Sequence, residues 1–492
     1  MSRRGNDLGV LFKPGSVAVV GASSTFGKIG GSTLAAILSG GFKGEIYPVN
    51  PKESEIFGLR AYPSLNAVPG DIDLAVITVP AKAALEVLRQ AEEKGVKACI
   101  VITAGFKEVG GEGERMQNEI VEIGRRSGMK IVGPNCMGVY SASGNLTAIM
   151  SPISPERGNI AMVSQSGTLG MVLMDAISRT GAGFTKFVSS GNEAVLKLED
   201  YLEYYAKDPE TGVVVAFVEG VRDGKRFVEV ARRLTGKKPF IALKVGKTKA
   251  GSEAARSHTS SVSGSVEIFR SVAKQTGIIL AENSDELVDY ATAFAKCPLP
   301  SGRRVGILSG AGGWAVLSAD ACEMYGLEIP KLPADVVREI DERAPSYWSR
   351  RNPIDLVSSL DVSLFRFCGE ILFERDIVDV LLYAYIAYDF SSSFDPLVNV
   401  SIFSEEEAEF FRKASRGFMK TLAESASGIN EKYGKPVFFV TRDSEVTKAL
   451  RNSRVPVYGS PIRAVKCIAK MVEYREYLEK KEKERIKDRL AE

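Results

Sequence analysis

Short apolar runs alternate with amphipathic stretches over the first third of the chain. Five runs between residues 16 and 135 are short and rich in Val and Ile, as buried parallel strands are: SVAVVGAS, GEIYPVN, LAVITVP, ACIVITAGF and MKIVGPN. Two stretches between them, AALEVLRQAEEKG and ERMQNEIVEIGRRSG, have apolar positions at helical spacing. The alternation predicts a doubly wound α/β domain, in which ligands bind beyond the carboxyl ends of the strands.

One pattern occurs twice in the rest of the chain. The segment from residue 158, GNIAMVSQSGTLGMVLMDAISRTGAGF, matches in pattern the segment from residue 303, RRVGILSGAGGWAVLSADACEMYGLEI, 145 residues later. Each copy consists of an apolar strand, a turn of small residues, a helix, and a short segment of small residues after the helix. Two further strands follow in each copy, VVVAFVEG and KPFIALKVG in the first, VDVLLYAYI and KPVFFVTRD in the second. The repeat predicts two flavodoxin-like α/β domains.

A length of 492 residues agrees with about three domains, since one hydrophobic core rarely serves more than ~250 residues. We predict a Rossmann-like domain at 1–148, flavodoxin-like domains at 149–300 and 301–465, and a charged C-terminal helix at 466–492.

Composition excludes several classes of function. The chain has 64 basic and 61 acidic residues, a net charge of +3, which gives no electrostatic case for nucleic acid. The 6 cysteines stand singly and there is 1 histidine, so neither a metal site nor a disulfide framework is expected. The N-terminus lacks the apolar core of a signal peptide, and the most apolar run, VDVLLYAYIAY, is far shorter than the roughly 20 residues that span a bilayer. We expect a soluble cytoplasmic protein that does not enter a membrane.

The turn after the first predicted strand, GASSTFGKIGG, is rich in glycine and opens a helix whose amides could hold a phosphate. It is not the dinucleotide motif G-x-G-x-x-G, because Ser23 replaces the second glycine. The second strand ends in PVNPK, so Asn50 and Lys52 stand where an NAD site needs a carboxylate. This favours a phosphorylated nucleotide other than NAD, with coenzyme A as the obvious candidate. The alternative is that the glycines only shape the turn.

The two copies of the repeat each place bare backbone amides at a predicted helix N-terminus. The residues are Gln165, Ser166, Gly167 and Thr168 in the first copy and Gly310, Ala311, Gly312 and Gly313 in the second. Each turn is a candidate anion site, because its free N–H groups and the positive end of the helix dipole attract negative charge. Two such helix ends directed at one place would hold a phosphoryl group. Close packing of strand and helix is the alternative for either turn alone. VGKT at 245–248 is no P-loop, because Ile241 stands where the leading glycine belongs, so a nucleotide must bind another polypeptide.

The single histidine, His258, lies in EAARSHTSSVSG, among small polar residues with no apolar period that would bury a ring. A neutral imidazole is a good nucleophile near pH 7, and small neighbours would let the loop move between sites. Glu219 ends the strand of VVVAFVEG, whereas the matching strand of the second copy has no acid. Arg222 and Asp223, in the next turn, are predicted to be surface turn residues.

Together these segments resemble the α subunit of ADP-forming acyl-CoA synthetases, in the superfamily of succinyl-CoA synthetase. The most specific marks are SHTSSVSG around residue 258, SQSGTLG at 164–170, SSGNE at 189–193, VEGVRDGKRF at 218–227 and GPNCMG at 133–138. The resemblance covers nearly the whole chain. It implies a CoA-binding first domain, a transiently phosphorylated histidine in the second, and an ATP-grasp unit for ADP, ATP and Mg²⁺ on a β subunit, in an α2β2 assembly.

The resemblance also implies site residues. His258 would carry the phosphoryl group, and Glu219 would fix its tautomer. Coenzyme A would bind Gly21, Ser23, Ser24, Phe26, Asn50, Lys52, Val79, Pro80, Thr103, Ala104 and Gly105. Phosphate and acyl group would meet between the first two domains at Asn135, Gln165, Ser166, Gly167, Thr168, Gly191 and Asn192. The turn Gly310 to Gly313 would supply the second helix end.

The implied reaction is acyl-CoA + ADP + phosphate ⇌ carboxylic acid + CoA + ATP. A non-catalytic CoA- or acyl-CoA-sensing module is the alternative, disfavoured because sensing needs neither His258 nor Glu219. An NAD-dependent oxidoreductase is disfavoured by Asn50 and Lys52. The sequence leaves open the carboxylic acid, the choice between ADP and GDP, and the physiological direction.

Overall fold

The structure is a computed structural model that describes residues 8–25, 27–151, 153, 155–251, 253, 265–357, 359–385 and 404–491. Two predicted site residues, Phe26 and His258, lie outside this part of the chain. The chain divides into two compact units, Met1–Val288 and Asp289–Glu492. The first unit holds two large sheets and the second holds one, so the mixed α/β fold class is confirmed.

The first sheet contains the five strands that the apolar runs predict. They are β1 (Ser16–Val20), β2 (Glu45–Val49), β5 (Leu74–Ile77), β6 (Ala98–Val101) and β7 (Lys130–Val132), all parallel and in the order β2-β1-β5-β6-β7. The strand residues alternate between two apolar clusters, with Val17 and Val19 in one and Ala18 and Val20 in the other. Both faces of the sheet are therefore buried, which is why the runs are continuously apolar.

Helices and a small hairpin surround this sheet. They are α1 (Gly9–Phe12), α2 (Ile29–Ser39), α3 (Ala81–Lys94), α4 (Gly111–Ser127), the 3₁₀ turns Leu65–Ala67 and Lys107–Val109, and the antiparallel pair β3 (Glu55–Ile56) and β4 (Leu59–Arg60). Helix α3 buries Ala84, Leu88 and Ala91 at helical spacing, and it ends where Gly95 adopts a φ of 75°. These are the amphipathic pattern and the stop signal that its sequence predicts.

The second sheet has seven strands. They are β8 (Gly138–Ser141), β9 (Leu146–Ile149), β10 (Arg157–Ser164), β11 (Phe184–Ser189), β12 (Val213–Val218), β13 (Phe240–Lys244) and β14 (Ile279–Ala281), in the order β14-β13-β12-β10-β11-β8-β9. Its helices are α5 (Gly167–Arg179), α6 (Leu198–Lys207), α7 (Gly224–Thr235), α8 (Val266–Thr276) and α9 (Ser284–Lys296). The strands β8 and β9, of which β9 is at the edge, are antiparallel and come before residue 150, so the chain enters this sheet through them.

The second unit has one parallel sheet. Its strands are β15 (Val305–Ser309), β16 (Ile354–Asp355), β17 (Val380–Ala384), β18 (Val437–Val440) and β19 (Val457–Tyr458). Its helices are α10 (Gly312–Met324), α11 (Ala334–Asp341), α12 (Val362–Glu374), α13 (Glu405–Tyr433), α14 (Ser444–Leu450) and α15 (Pro461–Ala491).

The sequence repeat corresponds to a repeat in topology. The five parallel strands of the second sheet are ordered β14-β13-β12-β10-β11, and those of the third are ordered β19-β18-β17-β15-β16. Strand β15 therefore takes the place of β10, and α10 follows it as α5 follows β10. Each repeat thus places a turn of small residues between its central strand and the following helix.

Candidate active site

The first glycine turn is shaped by close packing. Gly21 has a φ of 88°, and a Cβ there would lie 2.7 Å from Thr78 Oγ1. A Cβ on Gly30 would lie 2.0 Å from the Gly21 carbonyl oxygen, and one on Gly31 would lie 2.6 Å from the Ser23 carbonyl oxygen. Larger residues are therefore excluded by sterics alone, so these glycines do not by themselves identify a ligand.

A carboxylate that the sequence analysis missed lies at this turn. Glu53 accepts hydrogen bonds from Ser23 Oγ at 3.2 Å, from Ser24 N–H at 3.2 Å and from Asn50 Nδ2 at 3.2 Å. The hydrogen bonds from Ser24 and Ser23 lower the pKa of Glu53. Asn50 directly follows β2 as predicted, and the nearby carboxylate of Glu53 was not predicted. Asn50 also donates to the Ala22 carbonyl, and Lys52 is exposed.

A cavity of about 800 Å³ in the first unit brings two of the predicted groups of residues together. From the predicted CoA site it is lined by Val79, Pro80, Thr103 and Ala104, and from the predicted phosphate site by Asn135, Gln165, Ser166, Gly167, Thr168, Gly191 and Asn192. The other described residues predicted for this unit are not part of its lining: Gly21, Ser23, Ser24, Asn50, Lys52, Gly105 and Glu219.

Most of the lining residues follow strand ends, of which three belong to the first sheet and two to the second. The segments that line the cavity follow the carboxyl ends of β5, β6, β7, β10 and β11. The carboxyl ends of parallel strands share one edge of a sheet, and ligand sites of α/β proteins form there. The remaining lining residues were not predicted; most are apolar, and they are Ile29, Thr78, Ile102, Glu108, Cys136, Met137 and Met150.

The first turn of α5 presents backbone N–H groups to the cavity. Its N-cap, Ser166, makes no side-chain cap hydrogen bond within the part of the chain that the structure describes. A Cβ on Gly167 would lie 2.4 Å from Met137 Cγ, so a larger side chain there displaces Met137. The turn therefore offers amides at the positive end of a helix dipole, as an anion requires.

Amide side chains form the opposite wall. Asn135, at a φ of 58°, donates from Nδ2 to Asn192 Oδ1 at 3.3 Å. Asn192 Nδ2 donates to Glu108 Oε2 at 2.5 Å and to Gln117 Oε1 at 2.9 Å. Burial opposes ionisation of Glu108, but hydrogen bonds from Asn192 and the Gly105 N–H outweigh it and lower its pKa. Asn192 is therefore held in one orientation by Asn135, which was predicted, and by Glu108 and Gln117, which the sequence analysis missed.

Glu219 directly follows β12, as predicted from the strand pattern, and is buried. Its N–H donates to Gln165 Oε1 at 2.6 Å, and its carbonyl accepts from the buried ammonium of Lys244 at 2.8 Å. Burial lowers the pKa of Lys244. Hydrogen bonds with side chains therefore hold both the N–H and the carbonyl group of Glu219. The predicted pairing of Glu219 with His258 lies outside the described residues.

The turn after Glu219 lies at the surface as predicted, with Arg222 and Asp223 both exposed. The Asp223 carboxylate caps α7 by accepting from the Arg226 N–H at 3.0 Å. Arg222 also makes contacts that the prediction did not include. It donates from Nη2 to the Asn192 carbonyl at 2.6 Å and lies 3.8 Å from the buried carboxylate of Glu193. The R-D-G sequence predicts a turn, but it does not predict a hydrogen bond to Asn192, which lies 30 residues earlier in the chain.

Glu193 is a buried acid with an unusual backbone. Its φ is 54°, a left-handed conformation that few glutamates adopt, and it is 3% exposed. It accepts from Gln165 Nε2 at 3.1 Å and from Ser190 Oγ at 2.9 Å. Burial raises the pKa of Glu193 to about 7, because these hydrogen bonds and the charge of Arg222 only partly offset desolvation, and Glu199 adds repulsion.

This pKa predicts a pH-dependent stability. The folded chain keeps the Glu193 proton up to about pH 7, whereas the unfolded chain releases it near pH 4.5, so stability falls as pH rises through this window. The wild type should lose about 3 kcal/mol of unfolding free energy between pH 4.5 and 8 relative to Glu193→Gln. Urea denaturation of both proteins at several pH values measures the difference. Parallel pH profiles for the two would contradict the assignment.

The second predicted anion turn lies in the second unit. Ala311 is the N-cap of α10 and makes no side-chain cap hydrogen bond to described residues. A Cβ on Gly310 would lie 2.3 Å from the Tyr385 ring, and one on Gly312 would lie 3.2 Å from Asp355 Oδ2. Gly313 has open space. The turn has the predicted form, and the neighbouring carboxylate of Asp355 was not predicted.

The 6 cysteines are free and buried. Within the described ranges, no group of three His, Cys, Asp or Glu residues could hold a metal ion, and no helix there is long and apolar enough to cross a bilayer.

Two family models match the chain. One, described as a CoA binding domain, matches residues 15–142, and the other, described as a succinyl-CoA ligase like flavodoxin domain, matches residues 157–294. They coincide with the first sheet and with most of the second.

Relatives match over longer ranges. The ADP-forming acetate–CoA ligase I of Archaeoglobus fulgidus is 35% identical over 480 residues, which cover 98% of this chain and 65% of that protein. The alpha subunit of the ADP-forming acetate–CoA ligase II of Pyrococcus furiosus is 40% identical over 375 residues, which cover 76% of this chain and 81% of the subunit. The chain therefore spans slightly less than two thirds of the Archaeoglobus protein.

One solved structure is similar to this chain over nearly the whole length of both. The acetyl-coenzyme A synthetase 1 of Candidatus Korarchaeum cryptofilum, solved in complex with phosphate and ADP, has a TM-score of 0.85 and 34% identity. The match covers 97% of this chain and 99% of that one.

Proposed function

The chain belongs to the family of ADP-forming acetate–CoA ligases, and we propose that it performs the acyl-transfer and histidine-phosphorylation steps of an ADP-forming acyl-CoA synthetase. The overall reaction is acyl-CoA + ADP + phosphate ⇌ carboxylic acid + CoA + ATP. One observation carries the proposal: a single cavity joins strand ends of the CoA-binding domain to the uncapped first turn of α5.

The first step takes place in this cavity. A phosphate oxygen attacks the thioester carbonyl carbon, the C–S bond breaks, and CoA leaves as its thiolate while acyl phosphate forms. The N–H groups of Gly167 and Thr168 hold the phosphate, and the side-chain amides of Asn135 and Asn192 orient the acyl carbonyl. No Lys, Arg or His belongs to the lining described, so the charge is met by amides and the helix dipole.

The second step passes the phosphoryl group to His258. An imidazole nitrogen attacks phosphorus, the bond from phosphorus to the acyl oxygen breaks, and the carboxylate leaves. Glu219 accepts the hydrogen bond of the other ring nitrogen and so sets the tautomer. Phosphohistidine then transfers the group to ADP. By the resemblance, we assign the backbone amides of Gly310 to Gly313 to phosphoryl binding.

The nucleotide half-reaction belongs to a further polypeptide. We assign ADP, ATP and Mg²⁺ to an ATP-grasp β subunit in an α2β2 assembly in the cytoplasm. Two observations support a separate or additional segment: the chain spans 65% of the Archaeoglobus relative, and the Pyrococcus relative is named as an alpha subunit. The proposed domains are 1–148, 149–300, 301–465 and the helix at 466–492.

Turnover tests the proposal against a CoA-sensing module. The chain, mixed with an ATP-grasp partner, ADP and phosphate, should form ATP from at least one member of a panel of aliphatic and aromatic acyl-CoAs. The chain alone should form none. A chain that binds acyl-CoA but turns over no member of the panel would be a sensor.

Charge reversal at Lys52 tests the placement of coenzyme A. Lys52→Glu should weaken CoA binding by about tenfold or more, because a cation near the CoA phosphates becomes an anion beside Glu53. Lys43→Glu, at the amino end of β2, is the matched control and should change CoA affinity little, since ligands bind at the carboxyl ends. Calorimetry with CoA and with NAD measures both variants. Tight binding of NAD without binding of CoA would contradict the placement.

A further inference from the structure

The side-chain amide of Gln165 makes four hydrogen bonds. Its Oε1 accepts from the N–H of Glu219 at 2.6 Å and from the N–H of Gly220 at 3.0 Å. Its Nε2 donates to the Gly220 carbonyl at 2.8 Å and to Glu193 Oε1 at 3.1 Å. Gln165 therefore connects the wall of the cavity, which it lines, to the backbone that carries Glu219.

The orientation of such an amide depends on its neighbours. A rotation that exchanges Oε1 and Nε2 changes the shape of the side chain little, so only hydrogen-bond partners distinguish the two states. In the exchanged state, Nε2 would face two N–H groups, and Oε1 would face the Gly220 carbonyl and the Glu193 carboxyl. Two donors and two acceptors would then lose their partners.

Glu193 is held firmly enough to set this orientation. Ser190 Oγ donates to it at 2.9 Å, Arg222 lies 3.8 Å away, and its side chain is 2% exposed. Its left-handed backbone conformation places the carboxyl under Gln165 at a cost in local strain. Glu193 does not belong to the cavity lining, so it does not reach a ligand there.

We propose that Glu193 is a positioning residue: its carboxyl oxygen holds the Gln165 amide in one orientation, and that amide fixes the backbone N–H groups of Glu219 and Gly220 behind Gln165, which lines the cavity. The expected effect of Glu193 on turnover rests on the proposed function. The expected effect of Glu193 on the backbone of Glu219 and Gly220 does not rest on it.

Hydrogen exchange tests the inference without turnover. In Glu193→Leu, the amides of Glu219 and Gly220 should exchange about tenfold faster or more, because Gln165 Oε1 no longer protects them in a fixed orientation. Glu193→Gln keeps an acceptor oxygen and should exchange within about threefold of the wild type. Glu199→Leu is the matched control, since it removes a neighbouring buried carboxyl that faces the Asp223 N–H, and exchange at 219–220 should not change.

Steady-state kinetics test the effect of Glu193 on catalysis. The assay contains the chain, the partner subunit, acyl-CoA, ADP and phosphate. Glu193→Leu should lower kcat by roughly 10- to 100-fold with KM for acyl-CoA within about threefold, and Glu193→Gln should recover most of the rate. Gln165→Met combined with Glu193→Leu should be no slower than Gln165→Met alone, because both act through one amide. If Glu193→Leu does not fold, Glu193→Met takes its place.

The outcomes separate the two proposals. Unchanged exchange at 219–220 in a folded Glu193→Leu, or additive losses of kcat in the double variant, would overturn the positioning role while leaving the proposed function intact. An inactive wild type would overturn the proposed function, and the exchange experiment would still decide the role of Glu193.

Discussion

Replacing His258 with alanine should abolish ATP formation by the chain and its partner while leaving CoA affinity within about threefold of the wild type. In the proposed mechanism the acyl phosphate and ADP bind on different domains, so without a nucleophile that accepts the phosphoryl group no step connects them. The proposed CoA site lies at the strand ends of the first sheet and does not include this histidine. Coupled ATP detection and calorimetry with CoA measure the two quantities.

The chemistry of the phosphorylated residue provides the control. Wild-type chain mixed with acyl-CoA and ³²P-labelled phosphate should carry a label that acid removes and base does not, as a phosphoramidate requires. Ser257, Ser260 and Ser261 are the neighbouring alternatives, and a label on any of them would be acid-stable. Glu219→Gln should slow labelling by ~10²-fold or more, since it removes the group that orients the imidazole. Full activity with the label on another residue would refute the mechanism.

Gly167→Asp is expected to lower phosphate affinity by about 100-fold or more and to stop formation of acyl phosphate. It places a carboxylate at the first turn of α5, where the helix amides would otherwise meet the phosphate. Phosphate titration by calorimetry and ³²P exchange into acyl-CoA measure the loss.

Gly167→Ala separates charge from steric effects. Both variants add a Cβ that would lie 2.4 Å from Met137 Cγ, so Met137 must move in both. Only the aspartate adds charge, and the alanine variant should keep most of the phosphate affinity. Equal losses in the two variants would mean that packing against Met137, rather than an anion, explains the glycine.

Local sequence was sufficient for much of the fold. The five apolar runs of the first third are five parallel strands, and the repeat at 158 and 303 reappears as two sheets with the same strand order. Both follow from periodicity, because a strand buried on two faces must be apolar throughout and a helix on its surface must be amphipathic. The strands β8 and β9 lie outside this reasoning, since they are antiparallel to their neighbours and not part of the repeated pattern.

The site was predicted where it follows directly from strand ends and missed where it depends on contacts between segments. Residues 165–168, Asn135 and Gly191-Asn192 line one cavity, and each follows the carboxyl end of a strand. Glu53 was missed because it reaches back to Ser23 and Ser24 from the turn beyond the second strand. Arg222 was predicted only as a turn residue, and its hydrogen bond to the Asn192 carbonyl was missed.

The sequence by itself determined the repeat and the strands that form continuous apolar runs, because apolar periodicity is a local property of the chain, and its motifs carried the resemblance to the family. Only the tertiary structure decided which polar groups meet: Glu108 with Asn192, Glu193 with Gln165, and Gln165 with the backbone at Glu219. These pairs are separated by 84, 28 and 54 residues. The physical reason is that a buried hydrogen bond depends on distance and direction in space, and folding alone sets these for residues far apart in the chain.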